Sequence, residues 1–374
     1  MKSNDLEIYV HIPFCVRKCD YCDFVSFACN ESIIESYFSS LEKQIINKSE
    51  TAGNMPVVSV FFGGGTPSVP NPSLICHTLD IIRENYNVQK DAEITIEMNP
   101  NSASLDKLTA YKKAGFNRLS IGLQSANDTE LKTLSRLHNV SEFMETYENA
   151  IKVGFTNINV DIMSALPGQT LESYQNTLRT VCGMNPQHIS AYSLIIEEGT
   201  PFYDRYKDNK GLPDEDLERS MYYETENILN EYGYHRYEIS NYSKAGYECV
   251  HNTGYWKRRD YFGFGISAAS LFEGRRYLVH SDLNAFIGGD HGETCEVLSK
   301  EDEMAEFMFL GLRMIKGVSK KEFFESFGIE LSDVYGGVIS KLEKDGLLID
   351  SDYVSLTKRG LDVSNIAMAE FLPG

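Results

Sequence analysis

Short apolar runs rich in β-branched and aromatic residues alternate with longer runs of helical periodicity over the first half of the chain. The short runs predict strands near residues 7–14, 57–62, 93–98, 118–124, 157–163 and 188–195. The longer runs predict helices near residues 31–49, 73–85, 104–114, 128–137, 141–153 and 171–182. Strands that alternate with helices in this way predict an α/β fold built on a parallel sheet.

Residues that suit helix ends support these boundaries. Ser104, Asn127 and Ser141 stand before predicted helices, where their side chains would cap the first free N–H groups. Gly115 and Gly154 follow predicted helices and suit the left-handed position beyond a helix.

Six strand–helix units are fewer than the eight of a closed barrel. A partial (β/α)6 barrel and an open doubly wound sheet both fit this count, and both place the active site at the C-terminal strand ends. The residues found at those predicted ends are Cys15, Cys19, Cys22, Gly63-Gly64-Gly65-Thr66-Pro67, Glu97, Gln124, Asp161 and Ile195. The predicted site therefore lies along this edge.

The last third of the chain has a different pattern. Tyr237–Tyr242 reads as one strand, and helices are predicted over 303–315 and 334–345. Residues 347–349 and 353–357 are expected to pair as a small hairpin, which makes a winged-helix-like domain. The predicted domains are a barrel core over 1–235, an extension over 236–295 and the C-terminal domain over 296–374.

Composition narrows the class of partner. The chain has 374 residues with 35 Lys and Arg against 54 Asp and Glu, a formal charge of −19. This charge argues against a nucleic-acid partner, and residues 296–374 carry no basic stripe. No apolar run approaches the ~20 residues that span a bilayer. Eight cysteines, five of them scattered, do not resemble a disulfide framework, so a reducing cytoplasm is expected.

Three of the cysteines, Cys15, Cys19 and Cys22, fall within eight residues. Thiolates at this spacing favour an iron–sulfur cluster or zinc. Zinc requires a fourth ligand, which Cys29 or His11 could supply, so the triplet alone leaves both metals open.

A [4Fe–4S] cluster on three thiolates would leave one iron open to the amino and carboxylate groups of S-adenosylmethionine (SAM). An electron from the cluster would then cleave the sulfonium bond and release a 5′-deoxyadenosyl radical. Glycines after the second strand would let backbone approach the ligand closely. Glu97, Gln124 and Asp161 offer hydrogen-bond partners for its polar groups, and Arg136 offers a partner for its carboxylate.

Two motifs resemble those of the radical SAM superfamily. They are Tyr9-Val10-His11-Ile12-Pro13-Phe14-Cys15, followed by Cys19 and Cys22, and Phe61-Phe62-Gly63-Gly64-Gly65-Thr66-Pro67. The chain is most similar to the group that contains oxygen-independent coproporphyrinogen III oxidase and the heme chaperone HemW. The resemblance implies a partial (β/α)6 barrel. It also implies that Tyr9 and Tyr21 border the cluster and SAM, and that the SAM pocket is lined by Gly64, Gly65, Thr66, Glu97, Gln124, Arg136, Asp161 and Ile195.

Three features resemble the chaperone branch more than the oxidase. Phe24 stands where the oxidase motif has a fourth cysteine, and only eight residues precede Tyr9 where the oxidase has a longer segment. His251-Asn252-Thr253-Gly254-Tyr255-Trp256 resembles the heme-associated motif, which implies that His251 is an axial ligand of heme or lies beside it.

Two positions depart from the family pattern. Ala269 stands where a histidine is usual, and Ser135 replaces the usual glycine before Arg136. The implied function is binding of heme and its delivery to acceptor hemoproteins, membrane-bound respiratory proteins among them, with an electron donor for the cluster. The alternatives are oxidative decarboxylation of coproporphyrinogen III and radical SAM chemistry on another substrate.

Overall fold

The computed structural model describes residues 4–373 of the chain, so residues 1–3 of the predicted core and residue 374 of the predicted C-terminal domain lie outside it. Its centre is a sheet of twelve strands in the order β12-β11-β10-β9-β1-β2-β3-β4-β5-β6-β8-β7. The strands are β1 Leu6–Ile12, β2 Pro56–Gly64, β3 Asn87–Met98, β4 Arg118–Gln124, β5 Ile158–Ser164, β6 His188–Ser193, β7 His235–Arg236, β8 Asn241–Ser243, β9 Asp260–Phe264, β10 Ala269–Phe272, β11 Arg275–Val279 and β12 Glu293–Val297.

Strands β1 to β6 are parallel neighbours in chain order and do not close on themselves. The predicted partial barrel of six units is therefore confirmed. Alternate residues of each strand face opposite sides. In β1, alternate residues from Leu6 to Ile12 join the hydrophobic core with residues of the first helix. The residues between them face the other side: Glu7 accepts from Arg259, just before β9, and Tyr9 stacks on Phe61 of β2. The barrel interior is therefore partly polar.

Fifteen α-helices are present among the described residues. They are α1 Glu31–Ala52, α2 Pro72–Asn85, α3 Leu105–Ala114, α4 Asp128–Thr133, α5 Val140–Val153, α6 Leu171–Met184, α7 Pro201–Tyr206, α8 Glu215–Glu231, α9 Val250–Trp256, α10 Leu283–Ile287, α11 Lys300–Gly311, α12 Lys320–Phe327, α13 Leu331–Lys344, α14 Lys358–Asp362 and α15 Ser364–Ala369. None of these described helices has both the length and the apolar character needed to cross a membrane.

Helix boundaries confirm most of the predicted caps and correct one of them. Ser104 and Asn127 cap α3 and α4, and Gly115 and Gly154 adopt left-handed conformations after α3 and α5. The prediction of Ser141 as an N-cap was wrong. Asn139 caps α5 instead, because its side chain accepts from Glu142 N while the Glu142 carboxylate accepts from Asn139 N.

The helix predicted over 128–137 was also wrong in its length. Helix α4 ends at Thr133, and Ser135 takes a positive φ of 57°. Arg136 therefore lies in a loop rather than on a helix.

Strands on both edges of the sheet come from residues 235–297. The single strand predicted over Tyr237–Tyr242 was wrong: β7 and β8 form a short antiparallel hairpin beside β6. Its turn holds the buried Glu238, which accepts from Ser240 N and Asn241 Nδ2. Strand β9 instead pairs in parallel with β1 and begins the antiparallel extension β9–β12 on the opposite edge.

The C-terminal domain combines helices α11–α15 with a second sheet of three strands, β13 Val318–Ser319, β14 Leu348–Asp350 and β15 Tyr353–Leu356. Strands β14 and β15 pair antiparallel, which confirms the predicted hairpin. The domain has its own hydrophobic core around Met308, Phe323 and Leu342. A small winged-helix-like domain is therefore present, as predicted.

Candidate metal and SAM site

The three clustered cysteines lie on one loop that leaves the C-terminal end of β1. All three thiols are free and half-buried. Cys15 Sγ lies 3.4 Å from Thr66 Oγ1, and Arg136 Nη1 donates to Cys19 Sγ at 3.9 Å. The Cys22 amide donates to the Cys19 carbonyl at 3.1 Å. The loop thus presents all three sulfurs at the strand edge where the sequence predicted the site.

The donor set of this loop fits an iron–sulfur cluster. Three soft thiolates are the ligands that such clusters take. Within residues 4–373 no group of three or more His, Cys, Asp or Glu side chains is arranged around a single metal ion. An iron–sulfur cluster does not require its ligands to surround one ion, because each thiolate binds a different iron of the cluster. The Arg136 guanidinium beside Cys19 would place positive charge next to a bound cluster and its anionic ligands.

The glycine turn after β2 packs directly against the start of the cysteine loop. Gly65 N donates to Ile12 O at 2.9 Å and Thr66 N donates to Phe14 O at 2.8 Å. A Cβ on Gly65 would lie 2.8 Å from Phe14 O, which is too close for any side chain. Gly64 has a φ of 110°, and its N–H donates to Glu97 Oε2 at 3.2 Å. Glycine at position 65 is therefore required by the protein backbone itself.

Arg136 connects the loop to the strand ends. Its Nη2 donates to Asn99 Oδ1 at 2.5 Å and to Gly122 O at 2.9 Å. Its Nη1 reaches Tyr21 Oη at 3.5 Å. The buried Nε of Arg136 has no hydrogen-bond partner among the described residues. Such an unpaired donor suits an anionic group of a ligand, because a buried donor without an acceptor is costly.

Two carboxyl groups, Glu97 and Asp161, lie inside the barrel below the glycine turn. Burial, reinforced by the negative charge of Asp161, raises the pKa of Glu97 to about 8. Burial also raises the pKa of Asp161, which accepts from Asn159 Nδ2 at 2.7 Å and from Ser120 Oγ at 3.3 Å. The raised pKa favours the protonated form of Glu97 near neutral pH, and a cationic ligand beside the carboxyl group would favour its ionised form.

The remaining predicted pocket residues surround the same opening. Tyr9 donates to His11 Nδ1 at 3.0 Å, and Tyr21 packs on the ring of Phe202. Gln124 ends β4 with a φ of 72° and accepts from Tyr192 Oη at 3.1 Å. Ile195 follows β6 and is 68% exposed. An exposed apolar side chain at this rim is free to contact a bound ligand.

His251 lies inside the barrel on α9, where its ring stacks on that of Tyr9 with a centroid separation of 6.3 Å. It is 2% exposed, its Nδ1 lies 2.8 Å from Ser59 Oγ and its Nε2 lies 3.1 Å from Tyr255 Oη. Its ring stacks on Phe61 with a centroid separation of 5.0 Å. Burial, reinforced by the positive charges of Arg118 and Arg259, lowers the pKa of His251 to about 3. Ligation of heme iron by His251 stays a prediction, and it would require the imidazole to give up one of these hydrogen bonds.

Glycine at position 254 lets α9 approach the first strand. A Cβ there would lie 2.0 Å from Glu7 Oε1, which pairs with Arg259 Nη1 at 2.5 Å. Trp256 is the last residue of α9 and contacts the C-terminal domain. The Arg313 guanidinium of that domain lies 4.2 Å from the centre of the Trp256 ring. The motif thus joins the barrel interior to the second domain.

Ala269 begins β10 in the antiparallel extension.

Sequence reasoning missed two partners in the site. Asn99 binds both Arg136 and Thr66, the latter at 2.9 Å, and Tyr192 binds Gln124. Their positions at the ends of β3 and β6 are the signal that could have found them.

Two protein-family models match this chain. The Radical SAM superfamily model matches residues 9–181, and the HemN C-terminal domain model matches residues 298–363. With the partial barrel and the cysteine loop, these matches define the class as radical SAM proteins, as the two motifs predicted.

Curated relatives narrow the class further. The chain is 36% identical to the heme chaperone HemW of Bacillus subtilis, over 97% of this chain and 98% of that protein. It is 34% identical to the heme chaperone HemW of Escherichia coli, over 100% and 99% of the two chains. The chain belongs to the heme chaperone HemW family of the radical SAM superfamily. Membership of the superfamily implies a [4Fe–4S] cluster and SAM.

A solved structure shows the same fold. Coproporphyrinogen III oxidase (HemN) from Escherichia coli superposes with a TM-score of 0.86 over 98% of this chain and 90% of that one, at 24% sequence identity.

Proposed function

We propose that this protein is a heme chaperone that binds heme and delivers it to acceptor hemoproteins. The observation that carries the proposal is the full-length similarity to proteins named heme chaperone HemW, at 36% identity for the Bacillus subtilis protein. When bound, a [4Fe–4S] cluster and SAM together supply radical chemistry. The protein's own residues hold and orient these groups.

In this proposal Cys15, Cys19 and Cys22 hold the cluster. The unpaired Nε of Arg136 supports its placement beside the SAM carboxylate. Glu97 would accept from the SAM amino group, since a cation beside it lowers its raised pKa. Gln124, Asp161 and Ile195 would complete the pocket along the strand ends.

Acceptor hemoproteins, respiratory proteins in membranes among them, and an electron donor for the cluster are the proposed partners, and the cytoplasm is the proposed compartment. The names of the curated relatives support heme handling. The eight free cysteines support a reducing compartment.

Coproporphyrinogen oxidation is a second candidate, because the oxidase shares this fold. Phe24, in the position of the oxidase's fourth cysteine, argues against it. Its side chain is 67% exposed and brings no thiol to the site.

The deciding experiment is anaerobic reconstitution of the cluster followed by titration with hemin, observed by absorption spectroscopy. A saturable change in the heme band at one heme per chain is the expected result. Failure of the protein to take up heme, with or without its cluster, would contradict the proposal.

A further inference from the structure

A chain of side-chain hydrogen bonds leads from Arg136 to the first cysteine of the loop. Arg136 Nη2 lies 2.5 Å from Asn99 Oδ1, just beyond the end of β3. The other end of the same amide, Asn99 Nδ2, lies 2.9 Å from Thr66 Oγ1 in the glycine turn. Thr66 Oγ1 in turn lies 3.4 Å from Cys15 Sγ. We call these three contacts the hydrogen-bond chain.

The chemistry of the four groups fixes the direction of every bond in the hydrogen-bond chain. A guanidinium only donates, so the atom of Asn99 beside Arg136 is its oxygen. The amide nitrogen of Asn99 therefore faces Thr66, whose oxygen accepts from it. The single hydroxyl proton of Thr66 is then left for Cys15 Sγ, and a cysteine that binds metal is a thiolate, which accepts.

The hydroxyl of Thr66 has few alternatives to this geometry. Thr66 is 3% exposed, so water has little access to it. In the part of the chain that the structure describes, Asn99 and Cys15 are the two hydrogen-bond partners of its Oγ1. Its backbone is held as well, because Thr66 N donates to Phe14 O at 2.8 Å. Asn99 therefore determines which way the hydroxyl proton points.

We propose that Asn99 is a positioning residue that turns the Thr66 hydroxyl towards the Cys15 thiolate and thereby raises the reduction potential of the bound cluster. Reduction adds one electron, which the proposed electron donor supplies, and the added negative charge strengthens a hydrogen bond donated to sulfur. The hydroxyl therefore stabilises the reduced form more than the oxidised form. This inference rests on the cluster that the proposed function places on the cysteine loop, and it gives Asn99 a role that requires neither SAM nor heme.

The test is a redox titration of the full-length, anaerobically reconstituted protein without SAM, observed by the electron paramagnetic resonance of the reduced cluster. Thr66→Val keeps the shape of the side chain and removes the hydroxyl. At a fixed solution potential it should lower the ratio of reduced to oxidised cluster about tenfold, a shift of about 59 mV for a one-electron couple. Thr66→Ser keeps a hydroxyl and should keep the natural potential.

A matched control removes a buried hydroxyl elsewhere. Thr78 is fully buried on α2, and its hydroxyl donates to Leu74 O of the same helix at 2.9 Å. Thr78→Val should leave the reduction potential unchanged. All variants are compared at equal iron content, so that incomplete assembly of the cluster does not enter the comparison.

Asn99→Ala tests the positioning role separately, because it leaves the Thr66 hydroxyl present but free to rotate. It should lower the ratio of reduced to oxidised cluster about threefold, while Arg136 keeps its bond to Gly122 O. The double variant Asn99→Ala/Thr66→Val should match Thr66→Val alone, since no hydroxyl is left to orient. A further fall in the double variant would show that Asn99 acts independently of Thr66 and would overturn its positioning role.

The remaining outcomes distinguish this inference from the proposed function. A natural potential in Thr66→Val with its full iron content would overturn the inference and leave the cluster and the chaperone function standing. If Thr66→Val assembles no cluster, Asn99→Ala decides, and an unchanged potential in it overturns the inference. If the natural protein itself assembles no cluster, the cysteine-loop assignment fails together with the inference.

Discussion

At the scale of single residues, the cysteine loop gives the most direct test of the cluster assignment. Cys19→Ser should lower iron and acid-labile sulfide after anaerobic reconstitution to background, because each thiolate bonds an iron. Cys29→Ser is the matched control, since Cys29 is also half-buried and free and lies just beyond the loop. Retention of four irons by the Cys19 variant would contradict the assignment.

Gly65 gives a second test at the scale of single residues. Gly65→Ala should weaken SAM binding at least tenfold and lower cluster content, because its Cβ would push away Phe14, which precedes Cys15. Isothermal titration and iron analysis measure the two effects. Gly183→Ala is the control, since a Cβ there meets no atom within 4 Å. Equal SAM affinity and equal iron content in the two variants would show that the glycine turn is not part of the SAM site.

The raised pKa of Glu97 predicts that the affinity for SAM depends on pH. With its pKa raised to about 8, this group binds a proton at pH 7 and must release it to pair with the SAM amino group. The affinity of the natural protein relative to Glu97→Gln should therefore rise as the pH increases from about 6.5 through about 8. Calorimetric titration of SAM at several pH values measures this ratio, and a constant ratio would place Glu97 outside the SAM contacts.

At the scale of elements, helix α9 is anchored through His251. His251→Ala should destabilise the protein by about 2–4 kcal/mol, because it opens a cavity beside Phe61 and leaves Ser59 and Tyr255 without their partner. Tyr255→Phe, which removes one hydrogen bond, should cost about 1 kcal/mol. Urea unfolding measures both changes.

The same histidine predicts how stability responds to acid. Its pKa falls from 6.5 to about 3 on folding, so below pH 6.5 the unfolded chain binds a proton that the folded chain does not. Its contribution is complete above pH 6.5 and is lost as the pH falls towards 3. His251→Gln should lack this part of the acid sensitivity, and an unchanged pH profile of unfolding would contradict the buried neutral imidazole.

Local sequence signals predicted the elements better than their mutual contacts. The βα alternation is a local pattern and predicted the parallel sheet, but it left a partial barrel and an open doubly wound sheet both open. The cysteine and glycine motifs are local too, and the family resemblance that they carry implied the partial barrel. The end of α4 at Thr133 has no glycine or proline to mark it, and the helix was therefore predicted too long. His251 binds Ser59, 192 residues earlier in the chain, and no local pattern records that contact.

At the scale of the whole molecule, the fold is shared with an oxidase. Phe24 stands where the motif resemblance implies a fourth cysteine in that oxidase. The protein should therefore release no CO2 from coproporphyrinogen III under anaerobic, reducing conditions with SAM. An authentic coproporphyrinogen oxidase in the same assay is the positive control. Repeated turnover to protoporphyrinogen would make the oxidase the better assignment.

Trp256 is the only tryptophan among 374 residues, and it lies where the barrel meets the C-terminal domain. Indole fluorescence excited beyond the tyrosine absorption band therefore comes from one place in the molecule. Its intensity and wavelength depend on the stacked Arg313 and on access of water to the junction. Any separation of the two domains would thus be visible in the natural protein as a red shift of emission, without a label.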